Sequence, residues 1–506
     1  MKSFLLYRDR DADRERALPP NSGDLAGDLG LQRIVEVMSA GDRFLFDAAQ
    51  RELLAGVDEI DHILYRQAVL QDGLELSGPV RELFALACEA IREEGRNFWG
   101  GFRTRHASAI LRRSIGVVAM FTDKLERVRA VGREHAGQFR SEGWRRFFAM
   151  MESELDDTYL ERVRSDLRRV EFPTGIPMNA RLGPGNRSTG FSLRDDEPLN
   201  VSWFDRLLQR GEPGYTFELH PRDESGARML SELGDRGVNL VADALAQAAD
   251  HMLAFFTTLR YEVGFYVAAL NLHDALREKG APTCFPQATP PNEPFWTVSE
   301  LYDPSLALSL GEPVVTNDAF PAAKPALVIT GANRGGKSTF LRGIGAAQLM
   351  LQCGMFVPAA SMRASLSTGL FTHYKREEDE TMESGKFDEE LRRMNAIVER
   401  LRPGAMVLMN ESFASTNERE GSEIAFQIVT ALIDSGVRVA LVTHLYELGR
   451  RLAQERSPDV YFLRAERGTD GQRTFKLMEG PPLPTSYGTD LYRLIVSEET
   501  TSSRRR

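Results

Sequence analysis

Three cysteines in 506 residues, at Cys88, Cys284 and Cys353, are too few and too scattered for a disulfide framework or a metal cluster. The chain is expected to hold itself together by packing, in a reducing, cytoplasmic setting. Long apolar runs are missing too, so no segment is expected to span a membrane. The opening stretch, residues 1–10, has too short an apolar segment for a secretion signal, and charges follow at once. Basic charge is not in excess either. Lys and Arg number 63 against 73 Asp and Glu, giving a net charge of −10, which argues against a binder that holds nucleic acid by bulk charge. No internal repeat and no sustained heptad occurs.

What is present is length enough for more than one domain. Residues 1–28 are charged and interrupted by Pro19, Pro20 and Gly23; they read as a mobile or loosely docked arm. Residues 29–280 read as mostly helical, with apolar residues recurring at three and four, as in Ile34, Val35 and Met38 or Leu83, Phe84, Ala87 and Ile91. Helices are expected over 31–170, with breaks near 56, 73–79 and 95–101, and again over 238–279, broken only by Gly264. The aromatics Phe255, Phe256, Tyr261, Phe265 and Tyr266 of the second stretch read as core. Between the two, about 172–226, frequent Pro and Gly mark a small irregular or β-containing insertion. Arginines cluster at Arg103, Arg105, Arg112 and Arg113, at Arg145 and Arg146 beside Trp144, Phe147 and Phe148, and at Arg162, Arg164, Arg168 and Arg169. Interleaved Glu152, Glu154, Asp156 and Asp157 make these the solvated faces of amphipathic helices rather than a nucleic-acid track. Over 281–495 the texture changes to strands alternating with helices. Strands are expected at 313–316, 326–330, 405–410, 437–443 and 460–464, in a mostly parallel sheet covered by helices. Residues 496–506 read as a disordered tail. The expected fold class is multidomain, α followed by α/β.

One stretch carries specific chemistry. An apolar strand over 326–329 runs into Gly331, Ala332, Asn333, Arg334, Gly335, Gly336, Lys337, Ser338 and Thr339, the full phosphate-binding loop at its required spacing. Its glycines let successive N–H groups turn toward phosphate oxygens. Lys337 supplies a charge for the β- and γ-phosphates and Ser338 a hydroxyl for Mg²⁺. The following helix aims its positive end at the same anion. An ordinary Gly-rich turn has no need of strand, spacing, Lys, Ser and helix together.

Two further strand ends complete the pattern. Met406 to Met409 delivers Asn410 and Glu411. Glu411 is placed to orient or deprotonate an attacking water. Asn410 stands where nucleotide hydrolases commonly place an Mg²⁺-associated Asp, and offers oxygen without negative charge. Val439 to Thr443 delivers His444 to the same sheet edge, where it is expected to meet the γ-phosphate or the water.

These residues, over about 314–491, resemble the ATPase domain of the MutS DNA mismatch-repair proteins, an ABC-type fold. Residues 330–339 resemble that family's TGPNMGGKST loop, and Gly354-Met355-Phe356-Val357-Pro358-Ala359 its G-x-[FY]-VPA segment. Phe371-Thr372-His373 is similar to FTR, and Asn410-Glu411 with Ser415 to Gly421 to the DE…GTST-x-x-DG stretch. Thr443 to Leu448 resembles ATH-x-x-EL, and Ser486-Tyr487-Gly488 the late SYG. The resemblance implies a helical core and lever region over 29–280 and a P-loop ATPase domain over 281–495 that takes ATP and Mg²⁺. It implies a homodimer through the ATPase domain, with each nucleotide between one subunit's phosphate loop and the other's signature segment. Residues 383–391 are an altered signature: Phe387, Glu390 and Leu391 match, and Ser384 lies one place early for the serine that reaches the partner's γ-phosphate. Asn317 falls in the segment that lies against the base. The residues before 300 contain no Phe-x-Glu wedge and lack the length of the mismatch-binding and connector domains. The resemblance thus implies a short relative that couples ATP to DNA-associated change without mismatch wedging. The alternative is a nucleotide-switched ATPase with slow hydrolysis that holds a protein partner and no DNA.

Overall fold

The computed structural model describes residues 1–99, 107–172, 178–182, 188–193, 224–293, 295–332, 334–376, 385–467 and 473–483. Helices come first: α1 (Ser22–Asp28), α2 (Leu31–Ser39), α3 (Arg43–Ala55), α4 (Ile60–Glu75), α5 (Ser77–Trp99), α6 (Ala107–His135), α7 (Glu142–Glu154) and α8 (Asp157–Val170). A hairpin, β1 (Met178–Leu182) with β2 (Ser188–Leu193), and the 55-residue α9 (Glu224–Glu278) follow. Then come β3 (Gln287–Thr289), β4 (Trp296–Leu301), α10 (Pro304–Ser309), β5 (Asn317–Ala322) and β6 (Ala326–Thr330). The rest is α11 (Lys337–Gln352), β7 (Ser361–Ser365), β8 (Leu370–Tyr374), α12 (Lys386–Val398), β9 (Met406–Asn410), α13 (Glu418–Asp434), β10 (Arg438–Val442), α14 (Tyr446–Glu455), β11 (Val460–Arg467) and β12 (Arg473–Glu479). No helix among the described residues is long and apolar enough to cross a membrane.

The chain packs as two units. The first comprises Met1–Ser3, Arg81–Phe139 and Trp144–Arg260. Inside it the aromatic reading holds: Trp144, Phe147 and Phe148 are buried with Phe139, while Arg145 and Arg146 on the same helix are exposed. Phe121 stacks on Phe256 at 5.4 Å. Basic residues here are heavily paired with carboxylates. Lys124 holds Glu89 and Glu93, Arg164 holds Glu126, and Arg133 holds Glu152. Arg103 and Arg105 lie outside the described residues.

The second unit comprises Phe4–Val80, Arg140–Gly143 and Tyr261–Arg506, so packing does not divide the chain near 280. Three expectations differ from what is found. The opening residues are no loose arm: Leu5 and Leu6 are fully buried, and the Glu262 carboxylate accepts from the Leu5 and Ala12 amides at 2.7 and 3.0 Å. Charge and proline suggested mobility, but the Leu5-Leu6-Tyr7 triplet finds core. Residues 313–316 are not a strand; the strand is β5, whose burial alternates, and whose Pro321 is tolerated because β5 is a sheet edge. Gly264 does not interrupt α9, which is buried around it.

The sheet that places the site has the order β12-β11-β6-β10-β9-β8, parallel except for β12. β6, β8 and β10 are buried along their whole length, as strands of a covered parallel sheet should be. Val442 stands opposite both Ile329 and Asn410, so β6, β9 and β10 end level. A second sheet, β3-β7-β4-β5, is mixed. The core on one face of the first sheet joins Val328, Val407, Met409 and Leu441 to Phe426 and Val429 of α13 and Leu448 and Leu452 of α14.

Candidate nucleotide site

The chain leaves buried β6 through a loop that only glycine can make at three points. Gly331 has φ +111°, and a Cβ there would come 2.9 Å from the Ala465 amide nitrogen. At Gly335 a Cβ would meet the Ala465 Cβ at 2.7 Å and the Ala332 carbonyl oxygen at 2.9 Å. Gly336, with φ +84°, is the left-handed residue that starts α11. Arg334 also has positive φ and is exposed. Asn333 lies outside the described residues.

Lys337, the first residue of α11, is buried, and its ammonium donates to the Gly331 and Ala332 carbonyls at 2.9 and 2.8 Å. Burial lowers its pKa from the ordinary lysine value and the Glu411 carboxylate partly restores it. Ser338 donates its hydroxyl to Asn410 Oδ1 at 2.9 Å. The two side chains assigned to Mg²⁺ therefore touch, one from the first turn of α11 and one from the end of β9. Glu411 follows with φ +54°, its amide donating to the Val442 carbonyl. His444 Nδ1 lies 3.9 Å from Glu411 Oε1, and both side chains are about one-third exposed.

A cavity of about 650 Å³ opens beside the loop, within the usual range for ligand sites. Arg334 to Thr339 and Glu411 form its polar wall; Leu306, Leu310, Pro313, Val315 and Phe475 form an apolar one. A triphosphate with an attached flat ring fits this division. The donor set fits the metal as well: a hydroxyl and an amide oxygen in contact suit a hard cation that keeps several waters.

Two assigned residues fare differently. Asn317 lines the cavity, and its amide is engaged on both sides: Nδ2 donates to the Phe475 carbonyl at 3.1 Å and Oδ1 accepts from the Leu477 amide at 2.6 Å. It ties β5 to β12. Ser384 lies outside the described residues, as do Glu383 and the 486–488 motif. Of the signature's matching residues, Phe387 packs against the sheet's core and Glu390 is buried, accepting from the Ser415 hydroxyl at 2.7 Å.

Sequence reading missed Phe475 and His373. Phe475, 46% exposed with φ +57°, lines the cavity from β12, where no motif marks it. His373 was noted only as part of a motif; its burial on β8 was the missing signal.

Comparison with known proteins agrees with this geometry. Residues 58–279 match the model of the MutS2 N-terminal domain, and residues 327–499 that of MutS domain V. The DNA mismatch repair protein MutS of Chlorobium phaeovibrioides is 25% identical over 342 residues, 66% of this chain and 35% of that protein. MutS of Thermotoga sp. strain RQ2 is 32% identical over 184 residues, 36% of this chain and 23% of that protein. MutS protein homolog 4 of Mus musculus is 29% identical over 141 residues, 28% of this chain and 15% of that protein. The chain thus spans about a third or less of the length of these relatives. With two family models lying in succession over most of its length, and the phosphate loop and strand-end residues assembled where the second model matches, the chain belongs to the MutS family.

Proposed function

We propose that this chain binds and hydrolyses ATP with Mg²⁺, dimerises through its ATPase domain around the nucleotide, and couples nucleotide state to a DNA-associated conformational change. The observation that carries the reading is the convergence of Lys337, Ser338, Asn410, Glu411 and His444 at one level of one sheet edge. The amides of Gly331 to Thr339 and the ammonium of Lys337 would hold the phosphates, and Ser338 and Asn410 the metal, which neutralises phosphate charge when bound. Glu411 is the base for the attacking water, with His444 beside it. The helices of residues 29–280 are proposed as the core and lever that carry closure of the ATPase region, 281–495, outward. A cytoplasmic setting suits three cysteines of which none forms a disulfide.

The test is the ATP turnover rate with and without duplex, mismatched and branched DNA, with Lys337→Ala as the control. Turnover that depends on Lys337 and changes with DNA supports the reading. Turnover indifferent to Lys337→Ala would remove the site assignment.

A second reading, a nucleotide-switched ATPase that holds a protein partner, is favoured by the net charge of −10 and by the many arginines already paired with carboxylates. Under it, no DNA shift appears at low salt with or without ATP.

Asn410 yields a sharper prediction. Asn410→Asp should lower the Mg²⁺ concentration for half-maximal turnover by about tenfold, a fraction of the ~4 kcal/mol that two unit charges 4 Å apart exchange at an effective dielectric of 20. A Mg²⁺ titration that does not move refutes the account of Asn410 as a weakened metal partner.

A further inference from the structure

The loop after β9, which carries Glu411, holds a backbone that ordinary residues resist. Glu411 has φ +54° and Phe413 φ +62°, and neither is glycine. Such conformations persist only where surroundings determine them, and they cluster at functional positions. The surroundings here are specific. A Cβ on Gly421 of α13 would collide with the Phe413 carbonyl, so that side is closed. On the other side stands His373 of β8, fully buried, its ring stacked on Phe413 at 5.3 Å and 25°.

The ring is hydrogen-bonded at both nitrogens. His373 Nε2 lies 3.0 Å from the Glu390 main-chain carbonyl, which can only accept, so Nε2 carries a proton. Ser412 Oγ lies 2.7 Å from Nδ1 and also 2.7 Å from the His373 carbonyl oxygen. Burial pushes the His373 pKa down to about 4, so the ring is neutral, Nδ1 is an acceptor, and the single Ser412 hydroxyl proton lies between Nδ1 and the His373 carbonyl oxygen. One imidazole thus joins the residue next to Glu411 to α12, the helix bearing Phe387, Glu390 and Leu391 of the signature. A second tie runs in parallel, from Ser415 to the Glu390 carboxylate.

We propose that His373 is the positioning residue of the hydrolytic site: through Ser412 and Phe413 it holds the strained loop that aims Glu411, and through the Glu390 carbonyl it makes that aim depend on where α12 sits. This rests on the reading of Glu411 as the hydrolytic base. Under the proposed dimer, α12 answers to the nucleotide of the partner subunit. The His373 bridge therefore makes turnover in one site respond to occupancy of the other.

The test compares wild type with Ser412→Ala, His373→Gln, their double variant and His373→Asn, whose carboxamide oxygen can still accept from Ser412. Misaiming a catalytic group by about 1 Å costs on the order of 100-fold, so Ser412→Ala and His373→Gln should each lower kcat by about 10- to 100-fold with the KM for ATP within about threefold. The double variant should be no worse than the poorer single within about twofold, because the residues act as a unit. His373→Asn should recover part of the lost kcat. Amides of residues 412–416 should exchange hydrogen at least about tenfold faster in Ser412→Ala, with those of β6 unchanged. Equal kcat and unchanged exchange in Ser412→Ala would overturn the proposal, as would a fall confined to KM. If wild type proves to have no turnover, the hydrolytic reading fails by itself, and the exchange comparison still decides whether His373 holds the loop.

Discussion

Glu411→Gln is expected to lower ATP turnover by about 10²- to 10⁴-fold while leaving ATP affinity within about threefold of wild type. The substitution keeps the size of the side chain and removes only its capacity to take a proton. Binding should survive because the proposed phosphate contacts are those of the loop and Lys337, not of Glu411. Lys337 loses a nearby negative charge, which adds little to affinity because its ammonium also donates to two loop carbonyls. With hydrolysis slowed, the ATP-bound state accumulates, and gel filtration in ATP should show a larger species than in ADP. Turnover within threefold of wild type would remove Glu411 from the chemistry. A monomer that persists in ATP would count against the composite site while leaving the base assignment intact.

Arg66→Met is expected to destabilise the second unit by about 3–5 kcal/mol, the usual cost of breaking a buried ion pair from one side. Arg66 has no exposed surface. Its Nη1 donates to Glu52 at 2.9 Å and its Nε to the Leu6 carbonyl at 3.0 Å, while its guanidinium lies 4.6 Å from the centre of the Tyr7 ring. Burial opposes the charge, but the Glu52 carboxylate outweighs it and holds the Arg66 pKa above the ordinary value. Glu52 also accepts from Tyr261 at 2.8 Å. A Cβ on Gly354, just past α11, would come 2.5 Å from the Arg66 Cβ, so the chain closes directly on this pair. Methionine fills the space and leaves the carboxylate buried beside a single hydroxyl. The double variant Arg66→Met with Glu52→Leu should regain most of the loss, since an apolar pair of similar volume often replaces a buried ion pair at little cost. Thermal unfolding checks both: a single variant that melts within about 2 °C of wild type would show the pair to be dispensable.

The sequence was most legible where one local signal sufficed. β6, β9 and β10 are short continuous apolar runs, and each ends in a residue type whose chemistry is recognisable. Lys337, Ser338, Asn410, Glu411 and His444 could thus be brought to one edge before any coordinates. β8 was less visible because Thr372 and His373 break its apolar run. The burial of His373 is tolerated because partners 17 and 39 residues away satisfy it, and hydropathy does not register such partners. The misplaced strand before β6 has a similar cause. Val314 and Val315 have the β-branched look of a strand, whereas the real one contains a proline that only its edge position permits. Asn317 shows the same limit in the site. It lines the cavity, but the partners of its amide come from β12, about 160 residues on.

The burial of the opening residues also has a consequence in time. Leu5 waits for a carboxylate 257 residues further along the chain and for the Tyr266 hydroxyl, 261 residues away. Arg66, which holds Leu6, sits 287 residues before the carbonyl of Cys353 that it also reaches. During synthesis at about 5–20 residues per second, the first apolar residues stay without their partners for roughly 10–50 s. The second unit therefore closes late, around a segment that leaves the ribosome long before its partners do.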